Sequence, residues 1–238
     1  MSVYVYGIAS SSHPKLPEEA DGIGDPPQRV RVIRHGRIAA LVSDAPDRIR
    51  PKRRDLVAHQ HILTRAGEHG SVLPLRFGGV SPDEESLTAV LAEREEYYVE
   101  RLAALADKVE YNVKATHDEE SVLRRVIADD PELRRMADAA RSAQGGSHEQ
   151  KVQLGERIAA AVQAREVQDA ELLRRALEQV CSESNDGPQS LGWLTNISYL
   201  VDRDGAAALV EAVDTLRTEQ PHLVLTLTGP LPPYSFVE

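Results

Sequence analysis

The histidines are the first place to look for chemistry. His59 and His61 stand two residues apart, which puts them on different sides of a helix, and His61 and His69 stand eight apart, about two turns. No HExxH, CxxC or mixed Cys/His set accompanies them, so no metal site is expected. His59 falls on the apolar side of its helix and reads as a hydrogen-bonded core residue. Cys181, the single cysteine, lies where a helix meets a polar loop. A thiol needs a neighbouring base to act as a nucleophile, and none stands near it in sequence, so an inert thiol is expected. Gly78-Gly79 and Gly145-Gly146 lack the GxGxxG or GxxxxGK[ST] context that cradles phosphate. Arg48, Arg50, Lys52, Arg53 and Arg54 form the one basic cluster. It opens a helix, where positive charge is mildly unfavourable; a solvated face and a surface that steers an acidic partner both fit it. Glu93, Glu95 and Glu96 read as a solvated helix face. No catalytic residue and no cofactor follow from these patterns.

Composition narrows the classes further. The chain has 238 residues, enough for one large or two small domains, and is 41% apolar. A net charge of −10 disfavours a nucleic-acid surface, and 4% aromatic content disfavours base-stacking platforms. Mean hydropathy is −0.38 and no run approaches the ~18 apolar residues of a membrane helix, so no membrane association is expected. The start turns polar after Ile8, so no signal peptide is expected either. One cysteine excludes an internal disulfide, which suits a reducing cytoplasm.

The elements that would position these residues can be read in order. Ser2–Ile8 reads as a strand and residues 9–28 as a loop. Arg29–Arg34 and Arg37–Ser43 flank His35-Gly36 as a hairpin. A helix runs from Pro51 to about Glu68 with Leu56, His59, Leu63 and Ala66 inward. Ser71–Phe77 reads as a strand. Ser81-Pro82-Asp83-Glu84 opens a helix to about Ala106 carrying Leu87, Leu91, Tyr98, Leu102 and Leu105. Lys108–Ala115 alternates as a strand with one wet face. Capping boxes at Thr116–Glu119 and Ser147–Gln150, with a restart at Asp130-Pro131, give helices over 118–143 and 148–180. The stripe Ala160, Ala164, Val167, Ala170, Leu173, Leu177 and Val180 suggests an antiparallel hairpin with a partly coiled-coil seam about a Gly145-Gly146 turn. After it come a polar loop over 181–190, a strand Leu191–Val201 holding Trp193, and a helix capped by Asp204.

The final stretch, from His222 to Phe236, reads as an interior strand with Leu223, Leu225 and Leu227 on one face, halted by Gly229-Pro230. Pro230, Pro232 and Pro233 hold the segment up to Phe236 extended. Phe236 is one of two phenylalanines and Tyr234 one of seven tyrosines. Tyr234 is expected to close its own domain, and Leu231 and Phe236 to meet a partner. The order predicts an α+β protein of two domains. Residues 1–106 form an α+β sandwich. Residues 107–238 form a ferredoxin-like domain with a helical hairpin inserted at about 118–180.

Several stretches together resemble the gas vesicle protein F/L family: Val3-Tyr-Val-Tyr-Gly-Ile8, His59 ahead of Val72-Leu-Pro-Leu-Arg-Phe-Gly78, Lys108-Val-Glu110, Tyr199-Leu-Val201, and Thr228-Gly-Pro-Leu-Pro-Pro-Tyr-Ser-Phe236. The resemblance runs over essentially the whole chain, with Leu231 where the family's GPWPPYSF ending has Trp. It implies a non-enzymatic accessory protein of gas vesicle formation, cytoplasmic and vesicle-associated. Its implied partner is the small hydrophobic shell protein, with other accessory proteins as further candidates, and its role is to assist nucleation or assembly of the wall. It also implies two domains, with a ferredoxin-like second one carrying a coiled coil. The alternative from another class is a ferredoxin-like haem- or small-molecule-binding protein or enzyme, for which His59 and the tyrosines are the available groups.

Overall fold

The computed structural model describes residues 1–142, 147–190 and 192–237; the turn expected at Gly145-Gly146 lies outside them. The chain is mixed α/β, with two antiparallel sheets and seven α-helices among the described residues. It divides into two compact units, Met1–Glu110 with Gly229–Glu238, and Tyr111–Thr228. The sequence pattern groups all of 107–238 together. The last ten residues instead belong with the first unit, where Tyr97 is hydrogen-bonded to Val237, Arg101 to Phe236, and Tyr234 packs against the core.

In the first unit the strands β1 (Val3–Ser10), β2 (Arg31–His35), β3 (Ile38–Asp44) and β4 (Val72–Pro74) are ordered β2-β3-β1-β4, with the short β5 (Val80–Ser81) also on β1. β1 is central and almost wholly buried, which is why its apolar and aromatic residues leave no wet face. Its register on β3 shifts between Val5 and Gly7. A Cβ at Gly7 would lie 2.7 Å from the Leu63 Cδ2 and 2.8 Å from the Leu73 oxygen, so only glycine fits there. The β2–β3 loop is Gly36-Arg37, one residue later than the hairpin turn expected from sequence; Gly36, at φ +53°, supplies the positive dihedral.

Helix α1 (Arg53–Gly67) buries Asp55, His59, Ile62, Leu63 and Ala66. Leu56, expected inward, is 40% exposed. The single helix expected over 82–106 is two helices, α2 (Glu84–Glu93) and α3 (Glu95–Ala104), parted at Arg94. Its cap is Asp83, which accepts from the Ser86 N–H at 2.7 Å, rather than Ser81. Tyr4, Tyr6, Ile23, Leu41, Ile62 and Leu63 form the heart of the core.

The second unit's sheet is ordered β7-β8-β6-β9. Strand β6 spans Lys108–His117, β7 Glu183–Asp186, β8 Thr195–Asp202 and β9 Leu223–Leu231. β7 falls inside the stretch expected to be loop. The closing strand β9 is an edge strand, not an interior one: Leu223 and Leu225 are buried, while Val224 is 49% exposed and Leu227 half-buried. Nor does Gly229-Pro230 stop it, since an edge strand tolerates proline. Helices α4 (Glu119–Asp129) and α5 (Pro131–Arg141) are capped by Asp118 and Asp130. The long α6 (His148–Glu178) begins at a capping box between Ser147 and Gln150, as its sequence predicts. Its buried face differs from the expected seam. Asp169, Leu173 and Leu177 are buried and Arg165 is half-buried, whereas Ala160, Ala164 and Val167 are exposed. Helix α7 (Ala206–Glu219) buries Leu209, Val213 and Leu216.

Candidate functional site

The residues singled out from sequence are scattered rather than gathered into one site. The C-terminal segment is anchored within the first unit. The Ser235 amide and hydroxyl donate to the two Glu110 carboxylate oxygens, each at 2.8 Å, and the Tyr97 hydroxyl donates to the Val237 carbonyl at 2.9 Å. Arg101 donates to the Phe236 carbonyl. Phe236 is 3% exposed, so its ring is committed to the fold and is not free for a partner as expected. Tyr234 is half-buried against the first core, and burial, with the Glu110 charge adding to it, pushes its hydroxyl up to about 12. Leu231 is half-buried at the end of β9.

His59 sits in the first core with both ring nitrogens engaged. Nε2 faces the Leu75 carbonyl at 3.0 Å and therefore carries the hydrogen; Nδ1 then accepts from the Tyr4 hydroxyl at 2.8 Å. Tyr4 in turn accepts from the Gly78 N–H at 3.2 Å. Burial pushes the His59 pKa down and outweighs the Leu75 hydrogen bond, so the ring is held neutral. This arrangement leaves His59 no lone pair for a haem or metal. His61 and His69 are exposed. Cys181 is half-buried with its Sγ 3.7 Å from the Glu178 carbonyl, and burial, followed by the Glu178 charge, raises its pKa. The basic cluster is exposed at the start of α1, where Arg54 bridges Asp25 and Asp55.

Among the described residues of the second unit, a largely buried group of His117, Asp169 and His222 is absent from the sequence candidates. His117 ends β6 and His222 immediately precedes β9. The Asp118 N–H donates to the His222 carbonyl at 2.9 Å, and the two imidazole centres lie 5.7 Å apart. Asp169 on α6 completes the group, and its Oδ2 lies 2.9 Å from His117 Nε2 and 2.8 Å from His222 Nε2. Arg165, one turn earlier, donates Nε to Oδ1 and Oδ2 of Asp169 at 2.9 and 3.0 Å. Its Nη2 is also 3.2 Å from His222 Nε2, and its Nη1 is 3.6 Å from Asp129 Oδ2. Burial opposes the charge on Asp169, but Arg165 and the two imidazoles outweigh it, so its carboxyl lies below the usual range. Asp169 is 1% exposed and His222 2%.

A cavity of about 440 Å³ adjoins His117, walled by Glu119, Glu166, Val122, Val162 and Trp193 among others. The three ligand-type residues are separated by more than 50 positions in sequence, so no spacing motif could reveal them. The one local signal, Arg165 and Asp169 at i and i+4, is the same as that of any surface ion pair.

The sequence matches the family described as Gas vesicle synthesis protein GvpL/GvpF over residues 2–238. It is 62% identical to gas vesicle protein F of Streptomyces sp. (strain CB03234), covering 100% of both chains. It is 29% identical to gas vesicle protein L of the same strain, covering 98% of this chain and 91% of that one. The crystal structure of the gas vesicle protein GvpF from Anabaena sp. PCC7120 matches it with a TM-score of 0.77 at 22% identity, over 100% of this chain and 98% of the other.

Proposed function

The chain belongs to the gas vesicle synthesis GvpL/GvpF family, and from that membership we propose that it is a non-enzymatic accessory protein of gas vesicle formation. In this reading it works in the cytoplasm, engages the small hydrophobic shell protein, and helps to start or feed assembly of the vesicle wall. The family match over nearly the whole chain carries the proposal. Identity of 62% to an F protein against 29% to an L protein supports an F-type member. Among the described residues no helix is long and apolar enough to cross a membrane.

The physical logic is that of a holding protein. A shell subunit that excludes water from a gas space presents a large apolar face, and such a face aggregates unless covered. Covering it needs adaptable contact rather than bond chemistry. The second unit's strand order, β7-β8-β6-β9, with helices after β6 and between β8 and β9, supports reading that unit as ferredoxin-like with a helical insertion. Leu231 remains the contact candidate of the C-terminal segment, with Tyr234 and Phe236 holding that segment in place. Titration of the purified chain with the small shell protein tests the reading. Saturable binding, together with loss of vesicles on deletion of the gene, is expected. Normal vesicles in the deletion strain would overturn it.

A further inference from the structure

His117 Nε2, the Asp169 carboxylate and His222 Nε2 come from the end of β6, from α6 and from the turn before β9, and their ligand atoms all lie within 4.8 Å of one another. Two imidazoles and one carboxylate form a donor set that suits late first-row divalent metals, not magnesium or calcium, which want mostly oxygen. Bonds of 2.0–2.1 Å to a tetrahedral ion would set neighbouring donors about 3.3 Å apart. The present 2.8 and 2.9 Å separations would have to open by about half an ångström, and the two imidazole nitrogens, within 4.8 Å of each other, to settle at the same spacing.

The place is already held by a cation. Arg165 sits on both oxygens of Asp169 and abuts His222 Nε2. That nitrogen faces an acceptor, Asp169 Oδ2 at 2.8 Å, and a donor, Arg165 Nη2 at 3.2 Å. One nitrogen bears either a hydrogen or a lone pair, so it satisfies one neighbour and is mismatched to the other. An ion bound by the His222 lone pair and by Asp169 resolves the mismatch once Arg165 withdraws. Arg165 has somewhere to go: its Nη1 is already 3.6 Å from Asp129 Oδ2, and that carboxylate, which also accepts from Arg125 at 2.9 Å, is about half exposed with further lone pairs to offer. Access and a fourth ligand are at hand as well. The cavity beside His117 has room for water, and the Glu119 and Glu166 carboxylates on its wall favour a cation's entry.

We propose that His117, Asp169 and His222 form a binding site for a divalent transition metal of the zinc or cobalt class, occupied in exchange for the Arg165 guanidinium, which moves to Asp129. The chemistry is ligand exchange without redox change: the ion replaces the hydrogens between the imidazoles and Asp169, and two protons at most pass to solvent. The bound ion ties α6 to the ends of β6 and β9.

Cobalt(II) chloride is the probe. The full-length chain is titrated near pH 7.5 and the visible d–d bands of low-coordinate cobalt are followed, with magnesium chloride as the control. One saturating ion per chain is expected, with bands that zinc displaces and magnesium does not. Arg165→Met removes the competing cation and should tighten binding about tenfold or more. His222→Gln should abolish the bands in a chain whose circular dichroism is unchanged. If His222→Gln does not fold, His117→Gln in the Arg165→Met background gives the same readout. Absence of a saturable cobalt signal in both the natural chain and Arg165→Met overturns the proposal, as does a signal that survives loss of either imidazole.

Discussion

Replacing Phe236 by Ala separates anchoring from partner contact at the C-terminus. The ring is 3% exposed, so truncation leaves a void in the fold rather than a bare surface. Buried Phe→Ala changes cost about 3–5 kcal/mol, and in chains of this size each kcal/mol moves the melting temperature by about 2–4 °C, so a fall of roughly 6–20 °C is expected. The surrounding hydrogen bonds bear on where in that range it falls. Ser235 to Glu110 and Tyr97 to Val237 hold the backbone on both sides of residue 236, which limits collapse around the void and favours the upper half. Calorimetry gives the shift, and a urea titration gives the free energy with its slope checked against the natural chain. Affinity for the shell protein, measured where the variant is still folded, should be unchanged. A loss of less than about 1 kcal/mol would refute the burial argument. A full loss of affinity in a folded variant would return Phe236 to the contact surface.

Two further outcomes rest on buried groups. Cys181→Ser should leave vesicle formation unchanged in a complementation assay, because the thiol is half-buried with its pKa raised and its Sγ lies beside the Glu178 carbonyl rather than a base; loss of vesicles with a folded variant would contradict this. His59 has its pKa lowered in the folded chain, so its stabilising effect is complete above about 6.5 and is lost as pH falls through the lower folded value, at no more than about 1.4 kcal/mol per pH unit. Unfolding free energies measured from pH 7 to pH 5 should fall more steeply for the natural chain than for His59→Gln, and equal slopes would refute the assignment.

Much of the fold is legible because burial writes itself as apolar periodicity. The alternation of β6 announces it that way, β1 and β3 show as apolar runs buried on both faces, and the capping box at Ser147–Gln150 announces the start of α6. The departures have physical causes too. Ser81 and Thr116 each stand two residues ahead of an aspartate, and either residue could cap the helix; the carboxylates of Asp83 and Asp118 take the position. β7, Glu183-Ser-Asn-Asp186, has no apolar alternation because it is an edge strand with little to bury, and only its pairing with β8 defines it. The seam of α6 differs from its apolar stripe because the buried face includes Asp169, with Arg165 half-buried beside it, and a hydrophobic stripe cannot register residues buried by pairing with each other. The aromatic character of Phe236 marks it as docked, but a sequence cannot say whether the dock is the chain itself or a partner.

Two buried polar groups remain to be distinguished, and hydrogen arithmetic does it. Around His59 every donor meets one acceptor: Gly78 to Tyr4, Tyr4 to Nδ1, Nε2 to Leu75. Such a chain fixes one tautomer and leaves neither ring nitrogen of His59 open, so its consequence is rigidity in the first core. Around Asp169 the count does not close. His222 Nε2 has two neighbours with opposite demands, and one of them, Arg165, has a second carboxylate within reach at Asp129. A satisfied network and a network with one mismatched atom look alike in burial and distance. They differ in what a ligand could improve. Adding a cation to the first would break hydrogen bonds without forming better ones, whereas adding one to the second exchanges a mismatched contact for a coordinate bond. That difference, rather than the mere presence of histidines, assigns structure to His59 and binding to His117, Asp169 and His222.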